Sequence, residues 1–200
     1  MITKVSTTFS QQYFDRLRDT AASIPFEQVD AVGELLYRAY LNDKQVFVMG
    51  NGGSAATAAH FASDLSKGTV VAGRRRFRVI CLNDNLPVLT AIANDIGYDM
   101  VFSEQMRNLV RPGDVVVVVT GSGNSPNIIE ALKCARSHSA TTVGFLGFDG
   151  GRAKEMLDAY VHIECADYGL VEDLHYALGH CFKEYFTRRI QEDTRNMLPS

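Results

Sequence analysis

The chain has 200 residues, 46% of them apolar and 22% charged, with a formal net charge of -3. This is the balance of an ordinary globular chain, long enough for one domain with a sizeable core, and it excludes a general nucleic-acid binder. Cys81, Cys134, Cys165 and Cys181 are widely spaced with no CxxC pair, which argues against a zinc ribbon or a thioredoxin-like site. No apolar run reaches membrane-spanning length, and no basic-then-apolar leader opens the chain, so a reducing cytoplasm and no membrane contact are expected.

In chain order, residues 8–22 read as a helix and Pro25 interrupts it. A second helix follows over 27–42, with Val29, Val32, Leu35, Leu36 and Ala39 at helical spacing. Short apolar runs then recur at 45–50, 77–82, 115–121, 141–147 and 159–165. Helical stretches separate them at 54–66, 87–94, 102–110 and 127–137, and a long helix over 170–189 closes the chain. Runs that are apolar throughout imply strands buried on both faces, and their alternation with helices implies a parallel sheet between two helical layers. A single domain over 1–200 is expected, with N-terminal helices at about 8–42 and the sheet and last helix at about 45–190.

Ligands of open α/β sheets sit at the carboxyl ends of the strands. Two loops there have matching chemistry: Gly50-Asn51-Gly52-Gly53-Ser54 and Thr120-Gly121-Ser122-Gly123-Asn124-Ser125-Pro126. Both are rich in glycine and hydroxyls and both lead into helices, so their free N–H groups suit a phosphate or polyol. Ser54 and Ser125 read as N-caps, with Pro126 at the first helical position. Tight, well-capped turns explain either loop alone; the pair at one sheet edge favours a site. There is no GxxxxGK[ST] loop. The loose GxGxxA match at Gly50 lacks an acidic residue at the expected distance, since the second run ends near Asp84. The basic run Arg74-Arg75-Arg76-Phe77-Arg78 is either a solvated strand entry or a phosphate-steering patch.

His60 and Asp64 are four apart on the helix leaving the first loop and share a face. The last helix offers Glu172, His175 and His180, with Glu172 and His180 about two turns apart on one side. Such side chains from two helices can surround one metal. Core histidine and ion-pair readings remain open for His60 and Asp64, and a helix-ending turn for Asn94 and Asp95.

GNGGSxxxxxHF, AIAND, TxSGNSxN and the terminal HxxxxH together resemble the sugar isomerase (SIS) domain family over about 27–189, and within it the sedoheptulose 7-phosphate isomerases. The resemblance implies a three-layer αβα sandwich with a five-stranded parallel sheet. It implies a homotetramer with active sites at subunit interfaces, and zinc at each site. The implied reaction converts D-sedoheptulose 7-phosphate into D-glycero-D-manno-heptose 7-phosphate, towards nucleotide-activated heptose for lipopolysaccharide or capsule. Matched to the family's motifs, Asn51, Gly52, Gly53 and Ser54 fall in the first substrate loop, Asn94 and Asp95 in the second, and Thr120, Gly121, Ser122 and Ser125 in the phosphate loop. His60 and His180 match zinc ligands; Asp64 stands where the family has a glutamate, and Glu172 where it has a glutamine. Both remain expected as ligands, Glu172 also as substrate-binding, and either carboxylate as the base with His180 as the acid. Rival readings are an isomerase of another sugar phosphate and a non-catalytic sugar-phosphate-binding regulator of the kind that associates with a replication initiator.

Overall fold

The computed structural model describes residues 7–197, so the outermost residues of the expected 1–200 domain lie outside the described range. Thr8 caps α1 (Phe9–Ala22) in a reciprocal box with Gln11. Pro25 precedes α2 (Phe26–Leu41), which buries Val29, Val32, Leu36, Tyr37, Ala39 and Tyr40. The strands are β1 (Gln45–Gly50), β2 (Arg78–Cys81), β3 (Val115–Thr120), β4 (Thr141–Leu146) and β5 (Ala159–His162). The helices between them are α3 (Gly53–Ser63), α4 (Leu86–Asp95), α5 (Ser103–Leu109), α6 (Pro126–Ser137) and the short α7 (Gly151–Lys154). The closing helix α8 runs for 30 residues from Tyr168 to Met197, longer at both ends than its apolar pattern predicts.

All five strands pair in parallel in the order β2-β1-β3-β4-β5. This is the expected three-layer αβα sandwich. Strand β3 lies at the centre and every residue of VVVVVT is buried. Its side chains alternate between two cores. Val115, Val117 and Val119 join Val46, Val48 and Phe145 under α2, α3 and α8. Val116 and Val118 join Phe47 and Met49 under α5 and α6. Each fully buried valine contributes about 1.5–3 kcal/mol of hydrophobic stabilisation, so this one strand anchors both layers. The Cys81 thiol, at the end of β2, is pushed up to about 11 by burial and is an inert core group.

The chain leaves β1 towards one edge and returns to β3 on its other side, so the connections diverge above the β1–β3 pair. The crevice this creates is where ligands of such sheets bind. Gly52, with φ of 56°, makes the turn out of β1 and is the N-cap of α3. Ser54 therefore sits inside the first helical turn and is buried, a correction to its reading as a cap. Ser125 does hold the N-cap position of α6, without a side-chain cap bond.

The basic run takes the structural of its two readings. Arg74 donates to Thr194 Oγ1 at 2.7 Å and to the Asp193 carbonyl at 3.0 Å, Arg75 to the Leu41 carbonyl at 3.0 Å, and Arg78 to the Asp43 carbonyl at 2.9 Å. These bonds tie the entry of β2 to the ends of α2 and α8, at the sheet edge opposite the crevice.

His175 is wholly buried, with Nε2 3.1 Å from the Leu146 carbonyl, pinning α8 to the end of β4. Burial lowers its pKa to about 4. Below its unfolded pKa of about 6.5 the unfolded chain binds a proton that the folded chain refuses, so this residue makes stability fall with acidity from that pH towards about 4. Urea unfolding should show about 2 kcal/mol of this loss between pH 7 and pH 5, and His175→Gln should lack that component. Equal pH slopes in the two proteins would contradict the assignment.

Candidate functional site

The two loops meet at the carboxyl ends of β1 and β3. Together with Tyr168 and Glu172 of α8 they line a cavity of about 260 Å³, whose walls include Asn51, Gly52, Gly53, Ser54, Thr120, Gly121, Ser122 and Ser125. A larger depression of about 620 Å³, lined by Glu34, Arg38, Lys44 and Gly113 among others, lies at the amino ends of the strands, away from the two glycine- and hydroxyl-rich loops.

The loops are held by bonds from outside them. Asn83 grips the Gly50 backbone twice: its Oδ1 accepts from Gly50 N at 3.2 Å and its Nδ2 donates to Gly50 O at 2.9 Å. Thr120 Oγ1 accepts from Gly123 N at 3.2 Å, closing the second loop on itself. Asn124 turns away from the cavity, donating to Ser122 O at 3.0 Å and accepting from Arg152 N at 3.1 Å. Tyr168 packs its ring on Gly121 and Phe148.

Helices α3 and α8 run side by side in the same direction. At their first turns the Glu172 carboxylate lies against Gly53 so closely that a Cβ at position 53 would overlap it. Further along, Phe61 packs on Gly179 and Phe182. Between these levels His60 Nε2 lies 3.0 Å from His180 Nε2. Asp64 Oδ2 is 3.4 Å from His60 Nε2 and 3.9 Å from His180 Nε2. That oxygen is buried and accepts no hydrogen bond. The α-helix ends at Ser63 and Asp64 opens a single π-helical turn, Asp64–Gly68, a distortion common at functional sites. Three donors aimed at one point, one of them a buried oxygen without a proton donor, form a site able to hold a divalent cation.

Glu172 stands outside this group. Two helical turns, about 12 Å of rise, separate it from His180. Tyr176 occupies the turn between them, stacked on His60 at 4.5 Å and edge-on to His180 at 5.0 Å. The expected four-ligand set is thus resolved within the chain into a three-donor group and a separate carboxylate in the cavity wall. Asn94 and Asp95 are exposed at the end of α4, bonded to each other at 2.7 Å, and do not line the chain's own cavity.

Sequence reasoning passed over Asn83, Tyr98, Asn127, Tyr168 and Tyr176. Of these only Asn127 carried a signal, as the last residue of the TxSGNSxN pattern.

The sequence pattern of the SIS domain matches residues 12–147. The chain belongs to the SIS domain family. Among its SIS relatives, the phosphoheptose isomerase of Geotalea daltonii is 39% identical over 168 residues, which is 84% of this chain and 87% of the relative. That of Mycobacterium tuberculosis is 36% identical over 159 residues, 80% of this chain and 81% of the relative. The solved phosphoheptose isomerase of Neisseria gonorrhoeae superposes with a TM-score of 0.79 at 34% identity, covering 86% of this chain and 91% of that one.

The contact between Gly53 and Glu172 yields a direct test. Gly53→Ala is expected to fold with an unchanged or slightly raised thermal midpoint, since alanine suits a helix better than glycine. Its crystal structure should show the Glu172 carboxylate displaced from the cavity wall. A carboxylate still in place would show that the helices part instead.

Proposed function

We propose that this SIS protein is a phosphoheptose isomerase that interconverts D-sedoheptulose 7-phosphate and D-glycero-D-manno-heptose 7-phosphate. The observation that carries the reading is the single carboxylate, Glu172, in the wall of a cavity otherwise built from two anion-binding loops. Relatives at 36–39% identity bearing the phosphoheptose isomerase name support it.

The hydroxyls of Thr120, Ser122 and Ser125 and the N–H groups at the start of α6 hold the substrate's phosphate, supplying binding energy remote from the reacting carbons. Asn51, Gly52, Gly53 and Ser54 hold the sugar. Glu172 takes a proton from C1 of the ketose and returns it to C2, through an enediol. Meanwhile the C2 oxygen gains a proton and the C1 oxygen gives one up, with His180 serving the oxygens. Of the two carboxylates expected as base, Glu172 lines the cavity, whereas Asp64 faces the two histidines.

His60, Asp64 and His180 are the residues that would hold zinc. Nitrogen and carboxylate donors are the ones it takes, and three protein ligands leave a position open for substrate. Bound there, zinc would polarise the substrate's carbonyl.

The active protein is read as one domain assembled into a homotetramer. Helices α1 and α4 bury none of their residues; Phe9, Phe14 and Leu86 are exposed on them, and Ile96 is exposed just past the end of α4. A neighbouring subunit covering α4 would carry Asn94 and Asp95 towards its own site, the role the family resemblance gives them. Four free cysteines suit a reducing cytoplasm, and among the described residues no helix is long and apolar enough to cross a membrane. The product would feed nucleotide-activated heptose for lipopolysaccharide or capsule.

The purified protein should convert sedoheptulose 7-phosphate to the aldose, followed by nuclear magnetic resonance of the sugar. Glu172→Gln should lower kcat by about a hundredfold or more, the scale of a lost general base. Inert wild type with zinc bound, or a fully active Glu172→Gln, would overturn the assignment, and turnover of another sugar phosphate in its place would redirect it. Zinc analysis gives a second check. One ion per chain is expected, retained in Glu172→Gln and lost in His60→Ala and His180→Ala.

A further inference from the structure

Asn51 in the first loop and Asn127 in the first turn of α6 are joined by a reciprocal amide pair. Asn51 Nδ2 donates to Asn127 Oδ1 at 2.8 Å, and Asn127 Nδ2 donates to Asn51 Oδ1 at 2.9 Å. The hydroxyl of Tyr98 donates to the same Asn51 Oδ1 at 3.0 Å. Asn127 is only 1% exposed, whereas Asn51 lines the cavity.

Counting bonds fixes what Asn51 can offer. A carboxamide oxygen has two lone pairs and its nitrogen two hydrogens. Both lone pairs of Asn51 Oδ1 are engaged, by Asn127 and Tyr98. One nitrogen hydrogen is engaged by Asn127, and the other remains. We propose that Asn127 and Tyr98 are positioning residues that orient the Asn51 carboxamide so that it presents a single N–H donor to the bound sugar phosphate.

Two consequences follow, and both rest on the isomerase reading. Asn51 recognises a ligand oxygen that accepts a hydrogen bond and disfavours a group that only donates. The amide pair also ties the loop after β1 to the helix that starts after β3, so the distance between the sugar-holding and phosphate-holding halves of the cavity is set by a buried contact. A spring-like gap between two loops becomes a fixed span, which is what holding a substrate in reactive geometry requires.

A double-mutant cycle separates this from a merely structural role. Asn127→Ala and Asn51→Ala should each lower kcat/KM by about tenfold, and the double variant should be no worse than Asn51→Ala alone. Tyr98→Phe removes one hydroxyl from a ring that is 58% exposed, so folding is not at stake, and its smaller loss should likewise vanish in the Asn51→Ala background. The side-chain amide protons of Asn51 give a readout in the ligand-free protein. They are identified by their absence from the nitrogen–proton spectrum of Asn51→Ala, and their shift separation should shrink in Asn127→Ala and in Tyr98→Phe. Losses that multiply in the double variants, or an Asn51 amide signal unmoved by either change, would overturn the proposal. A wild type inert towards sedoheptulose 7-phosphate would instead sink the isomerase reading, and the amide signal would still decide the positioning.

Discussion

The close, co-directional packing of α3 on α8 is the contact on which the site depends. Helix α3 reads GSAATAAHFAS, so its first turns present little beyond glycine, serine, alanine and threonine. Small side chains let the last helix approach until the Glu172 carboxylate rests on Gly53. With that level set, the helical rise sets the others. Residues seven and eleven positions after Gly53 meet residues one and two turns after Glu172, which brings His60 and Asp64 to His180. A single leucine-sized residue early in α3 would push the helices apart and dissolve both the cavity wall and the donor group.

The sheet supplies the other half of the frame. A parallel order in which β1 lies between β2 and β3 forces the connections to diverge, and the two glycine- and hydroxyl-rich loops stand where they diverge. The loops themselves carry almost no apolar side chains. Their shape comes from polar side chains reaching in from neighbouring segments: Asn83 on Gly50, Asn127 and Tyr98 on Asn51. Rigidity at the site is thus made of hydrogen bonds laid on a hydrophobic sheet, with the apolar cores below bearing the stability.

This division explains what the sequence disclosed. The three inner strands were legible because burial on both faces demands unbroken apolar runs, and VVVVV admits few other readings; the edge strands β2 and β5, only partly buried, were legible from their shorter apolar runs. The loops were legible because glycines and hydroxyls at helix starts form a pattern suited to close approach of an anion. Asn83 and Tyr98 were not, because an asparagine or a tyrosine gains its role only from whichever backbone or amide the fold brings beside it. The arginine run misled in one of its two readings for the same reason: five basic-rich residues look like a phosphate patch, yet three of them bond to carbonyls at the far edge of the sheet.

The family resemblance implies Glu172 as one of four metal ligands, and within the chain it stands apart from the three-donor group. Eight residues along an α-helix span about 12 Å, too far for one ion to bond both ends directly unless side chains lean hard towards each other. Here the intervening turn carries Tyr176, whose ring stacks on His60 and lies edge-on to His180. The two departures from the family pattern then take on separate meanings. Aspartate at position 64 keeps a short carboxylate beside the two histidines, where reach is not needed. Glutamate at position 172, where the family resemblance implies a glutamine, places a carboxylate in a cavity wall that holds no other. Under the isomerase reading proposed above, a carboxylate in that wall is placed to accept and return a proton, while Asp64 is placed beside the two histidines.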